Sequence, residues 1–145
     1  MFEDVRDLYS DAIRAHSRAP RHAVRPAGFD ATARGDNPMC GDRVTVFVRR
    51  DGDAVGEAGF EVRGCELTLA SADIMCDAVA GMSADTVRSL AKDVALMART
   101  GRCDHCDRAL HALSAVHGYP SRLRCVTLPW SALVAALDGK ETASD

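Results

Sequence analysis

The spacing of apolar residues changes along the chain, and each change marks a new element. Phe2, Val5, Tyr9, Ala12 and Ile13 recur at helical spacing with a polar opposite face, which predicts an N-terminal helix reaching about His16. Pro20 and Pro26 end it and open a loop. Residues 28–34 carry a faint edge-strand signal, and Asp36-Asn37-Pro38 is turn chemistry leading into Cys40. Alternation then becomes clear. Val44, Val46 and Val48 share one face, Asp51-Gly52-Asp53 supplies a hairpin turn, and Ala58, Phe60 and Val62 share a face of the returning strand.

After Gly64-Cys65 the period lengthens. Leu69, Ala72, Cys76 and Val79 predict a helix stopping at Gly81. Ser83 caps the next, which turns Val87, Leu90, Ala91, Val94 and Met97 inward and ends at Gly101. A short segment over 107–117 follows, then a connector over 119–124. A last helix is expected to start at Pro129, a favoured first-turn residue, and to end near Asp138. The pattern is α+β: an N-terminal helix, a small antiparallel sheet of about three strands, then several helices packed on it. Residues 1–139 read as a single domain and 140–145 as a disordered tail.

Composition narrows the class. At 145 residues and 47% hydrophobic, the chain can bury one substantial core. It has no apolar run of membrane-spanning length and no secretory signal pattern, so a cytoplasmic location is expected, with no membrane partner. Net charge is −3, which argues against nucleic acid as the main partner. Of the 18 basic residues, all but Lys92 and Lys140 are arginine. The six cysteines then imply metal, catalysis or core packing in a reducing compartment rather than a disulfide scaffold.

Cys40-Gly41-Asp42 precedes the first clear strand. Residues two apart in extended chain point the same way, so thiolate and carboxylate can meet one cation. Cys65 stands where a strand yields to a helix, a position that favours its thiolate. Cys125 is expected a few residues before the last helix. Three thiols and one carboxylate at element junctions make a plausible tetrahedral set. Their gaps of 24 and 59 residues are not those of a compact zinc finger, so by spacing alone three unrelated buried cysteines fit as well.

The segments around these cysteines resemble the U-type iron–sulfur assembly family, which comprises IscU, SufU and the N-terminal part of NifU. Asn37-Pro38-Met39-Cys40-Gly41-Asp42-Arg43 resembles its first motif, and Gly64-Cys65 with Leu69-Ala70-Ser71-Ala72 its second. Arg122-Leu123-Arg124-Cys125 leading into Leu128-Pro129-Trp130-Ser131-Ala132-Leu133 resembles its third, and His16 with Pro20-Arg21 its N-terminal stretch. IscU-type members usually carry His before the third cysteine. Arg124 stands there, and together with the long gap before Cys125 it favours the SufU branch.

The resemblance implies zinc held by Cys40, Asp42, Cys65 and Cys125, and Cys40 as the thiolate that takes persulfide sulfur from a SufS-like cysteine desulfurase. Downstream iron–sulfur assembly proteins would receive it. The alternative it implies is a scaffold on which a [2Fe–2S] cluster is built and passed on. Glu66, Asp73 and Cys76 depart from the usual pattern, and no proline-rich chaperone segment precedes Cys125.

Other features invite chemistry. Cys103-Asp104-His105-Cys106 has a Cys-x-x-Cys spacing that suits a second metal site or a redox pair. Cys76 and Trp130 read as core, His16 as structural, and His111 and His117 as surface or capping groups. Arg122 and Arg124 flank Cys125, where they can steer an anionic partner or stabilise a persulfide.

Overall fold

A computed structural model describes residues 8–143. The first half of the expected N-terminal helix, with Phe2 and Val5, lies outside the described residues. Its second half is α1, Asp11–Arg18, capped by Ser10 and anchored by the fully buried Ile13. Three strands follow: β1 (Ala31–Asn37), β2 (Asp42–Asp51) and β3 (Ala54–Arg63). They form one antiparallel sheet in sequence order. Then come α2 (Glu66–Val79), α3 (Ala84–Thr100), the single-turn α4 (Arg108–His111), 3-10 turns at Ser114–Gly118 and Pro120–Arg122, and α5 (Leu123–Leu137). Among the described residues no helix is long and apolar enough to cross a membrane.

The β2–β3 hairpin follows the alternation. Val44, Val46 and Val48 face the core, and Val46 pairs with Phe60. β1 is displaced from expectation: it starts at Ala31, and Asp36 and Asn37 belong to the strand rather than the turn. Its inward positions are Ala33, Gly35 and Asn37, too small or too polar to announce a strand. Small residues are required there because α5 lies close across the sheet. A Cβ on Gly35 would stand 2.9 Å from Leu128 Cδ1.

The last helix starts six residues earlier than expected, at Leu123, so Pro129 lies inside it. Proline removes one intrahelical hydrogen bond and normally bends a helix. Packing outweighs that cost: Cys125, Val126, Leu128, Trp130 and Leu133 are all buried. The Ser71 hydroxyl on α2 donates to the Val126 carbonyl (2.7 Å) and accepts from Trp130 Nε1 (3.2 Å). Ser71 thereby ties together the two helices that carry Cys65 and Cys125.

Two departures from the family pattern find structural partners. Asp73, 1% exposed, accepts from the backbone N–H groups of Arg21 and His22 (both 2.9 Å) and faces His16 Nδ1 (2.7 Å). It thereby fastens the loop after α1 to α2. Cys76 is core, and burial pushes its thiol far up. Arg34 N donates to Glu141 O and Ala143 N to Arg34 O (both 2.9 Å), so residues 141–143 line the free edge of β1.

Candidate metal centre

Cys40 sits on the turn 38–41 between β1 and β2. The buried Asn37 builds that turn: its carbonyl accepts from Cys40 N (3.2 Å) and Gly41 N (2.8 Å), and its Oδ1 from Met39 N (3.3 Å). Gly41 adopts φ +73°, a conformation that favours glycine. The turn leaves Cys40 exposed and sends the chain back so that Asp42, the first residue of β2, is 2% exposed.

Asp42 is the hub. Its Oδ1 accepts from the backbone N–H of Cys65 (3.0 Å), and the Cys125 thiol donates to its Oδ2 (3.4 Å). Gly64 makes this possible, since a Cβ there would overlap Asp42 Oδ1 and lie 2.9 Å from its Cγ. Cys65 is the N-cap of α2, with Thr68 Oγ1 3.3 Å from its sulfur. Cys125 lies in the first turn of α5, not ahead of it, and is fully buried. The early helix start therefore places this cysteine on a rigid element.

The donor atoms of Cys40, Asp42 and Cys125 lie within 4.8 Å of one another. Cys65 is not one of that group, and beside Cys125 the acidities of the two thiols split. The neighbouring Cys125, aided by Thr68, holds the Cys65 thiol down at about 5 against its partial burial. Cys125 is driven strongly upward by Cys65, by burial and by Asp42. Of the two, Cys65 is the more acidic thiol and Cys125 the less. A donor set of thiols plus one carboxylate, closely spaced and mostly shielded from water, fits a tetrahedral borderline cation such as zinc.

The split has a measurable consequence. In metal-free, reduced protein, alkylation of Cys65 by iodoacetamide is expected to rise through about pH 5, whereas an ordinary thiol follows about pH 8.5. Cys76 and Cys125 should stay unreactive throughout. A Cys65 profile centred on the ordinary value would refute the split.

Arg122 and Tyr9 complete the surroundings. Arg122 Nη1 donates to Tyr9 Oη (3.0 Å), and the guanidinium is held charged first by Tyr9 and then by Cys65, Cys125 and Cys40. Of the two arginines flanking Cys125, Arg122 thus faces the thiols, while Arg124 reaches the Asp36 carbonyl (3.5 Å). Glu66 occupies the first turn of α2, where a carboxylate suits the positive end of the helix. As parts of the site, Asn37, Thr68 and Tyr9 went unread, Asn37 being taken only as turn chemistry and motif and Tyr9 only as a helix position. Asn before Pro and Thr three residues after a helix cap are local turn and cap signals for the first two.

The second expected cluster is not assembled as a ligand set. Cys103 and Cys106 are joined in a disulfide, so neither offers a thiolate. His105 turns away to Asp93 (2.7 Å), and His111 Nε2 donates to the Cys103 carbonyl (2.7 Å).

With this geometry in view, the likenesses to known proteins are specific. The chain is 34% identical over 128 residues to the zinc-dependent sulfurtransferase SufU of Bacillus subtilis (strain 168), covering 87% of this chain and 86% of that protein. It is 32% identical over 133 residues to the iron–sulfur cluster assembly scaffold protein IscU of Streptococcus pyogenes serotype M1, covering 90% and 82%. Its fold matches the crystal structure of a SUF-system assembly scaffold protein from Fervidobacterium islandicum AW-1 with a TM-score of 0.82, at 27% identity, over 90% of this chain and 96% of that one. Residues 8–126 match the NifU-like N-terminal domain, and the chain belongs to that family.

Proposed function

We propose that this chain accepts sulfur from a cysteine desulfurase on Cys40, for iron–sulfur cluster assembly, at a zinc centre held by Cys40, Asp42, Cys65 and Cys125. One observation carries the reading: Cys40 is exposed on a turn, while Asp42 and Cys125 are buried and Cys65 is half-buried behind it. A partner's reactive loop can therefore reach one thiol of the set.

Bound zinc would keep its thiol ligands deprotonated. The chain's residues do the rest. Asn37 and Gly41 present the Cys40 sulfur, and Arg122 supplies positive charge beside the thiols. The Cys40 thiolate attacks the outer sulfur of the desulfurase persulfide. A new S–S bond forms on Cys40, the desulfurase S–S bond breaks, and its cysteine leaves as thiolate. The sulfane sulfur keeps its proton and no net oxidation occurs. A SufS-like enzyme is the partner this reading requires, and a cytoplasmic location follows with it.

The test is to incubate the protein with a SufS-like desulfurase and cysteine, alkylate, and map the cysteines by mass spectrometry. One extra sulfur on the Cys40 peptide, with Cys65, Cys76 and Cys125 unmodified, is expected. No extra sulfur, or sulfur on another cysteine, defeats the proposal. The likeness to IscU scaffold proteins supports a second reading, assembly of a [2Fe–2S] cluster on the same residues. Anaerobic purification separates the two: about one zinc without iron fits the acceptor, and iron with matching sulfide fits the scaffold.

A further inference from the structure

A second group of ligand-type side chains stands apart from the cysteines. Asp73 lies eight residues beyond Cys65 on α2, roughly 12 Å along the helix axis. The donor atoms of His16, Asp73 and Asp77 lie within 4.8 Å of one another. His22 extends the group, with Nε2 2.6 Å from Asp77 Oδ1, as His16 Nδ1 is 2.7 Å from Asp73 Oδ2. Two imidazoles from the first part of the chain thus face two carboxylates one turn apart on α2.

Three features make this more than a pair of polar contacts. Asp73 Oδ1 is fixed by the backbone N–H groups of Arg21 and His22, and such an outer shell orients a metal-binding carboxylate. Its Oδ2 is thereby aimed at His16. Like charges one turn apart on a helix repel, which calls for a cation between them. Arg21 Nη2 meets Asp77 Oδ1 at 2.6 Å, but its side chain is 70% exposed and can swing into water. Two carboxylates then face that single guanidinium and the two imidazoles. Nitrogen donors exclude calcium and magnesium, which take oxygen shells, and favour zinc.

We propose that His16, His22, Asp73 and Asp77 form a second, closed zinc-class site that clamps the loop after α1 onto α2. The facing pairs need to open to about 3.3 Å, and His22, outside the group of three, must close on it, to surround an ion at zinc's usual bond lengths. Any imidazole N–H proton facing the ion leaves on binding, and Arg21 releases Asp77. Four protein donors leave no open position, so the site is structural.

The probe is cobalt(II), added to protein already carrying one equivalent of zinc, which cobalt does not outcompete. One further equivalent is expected to bind with weak visible bands and no thiolate-to-cobalt charge transfer, and to raise the thermal midpoint. His22→Asn and Asp77→Asn alter partly exposed side chains. Each should weaken this second binding by at least about tenfold and leave the first zinc in place. No second equivalent, binding unchanged in both variants, or thiolate-to-cobalt bands would each overturn the proposal.

Discussion

Replacing Cys40 by Ser is expected to drop desulfurase turnover to the rate of the desulfurase alone and to leave no sulfur on this chain. The loss should exceed about a hundredfold, because a serine hydroxyl offers no anion near neutral pH to attack a persulfide. The fold should survive. Cys40 is exposed, and the turn around it is held by backbone bonds to Asn37 rather than by the thiol. Circular dichroism and urea denaturation should therefore match the parent protein. Cys76→Ser is the matched control. That thiol is buried away from the cluster, so the variant should lose stability and keep sulfur transfer. If Cys40→Ser stimulates the desulfurase as the parent does, the exposed thiol is not the acceptor.

How much of this was legible in the sequence depends on what each residue had to satisfy. The β2–β3 hairpin could be read because one buried face demands Val44, Val46, Val48, Ala58 and Phe60 at period two, with Asp51-Gly52-Asp53 between. β1 could not, because its inward residues answer to α5 instead of to strand propensity: Gly35 makes room for Leu128, and Asn37 caps the next turn. Pro129 misplaced the start of the last helix by following a local rule that buried packing overrides. Local rules fail here where tertiary contacts decide.

The site divides along the same line. Chemistry-bearing residues are readable because thiols are rare and distinctive, and the three cysteines with Asp42 stand in the family's order. Their mutual roles are not readable. Nothing local says that Asp42 bridges the Cys65 N–H and the Cys125 thiol, or that Cys125 and Thr68 jointly make the Cys65 thiol more acidic. Asp73 looked like an anomaly in sequence because its partners lie 51, 52 and 57 residues away. The Cys-x-x-Cys pair invited a metal, yet its sulfurs are joined and its histidine is engaged by Asp93.

Gly64→Ala is the sharpest test of that geometry, because it adds one carbon and replaces no ligand. The new Cβ would overlap Asp42 Oδ1 and lie 2.9 and 3.1 Å from Asp42 Cγ and Cβ. The carboxylate has little freedom to move, held by the Cys65 N–H on one oxygen and the Cys125 thiol on the other. Its displacement should weaken zinc binding by at least about tenfold, read by competition with a chelator. Crowding of this kind also costs roughly 1–3 kcal/mol in urea denaturation. Gly41→Ala is the contrast: its Cβ would meet nothing within 4 Å, and only its φ of +73° is strained. It should cost about 1 kcal/mol and push no ligand aside. Adding Gly64→Ala to Asp42→Ala should then cost little more than Asp42→Ala alone, since the group it displaces is gone. Full additivity of the two would mean that Gly64 serves the backbone rather than the carboxylate.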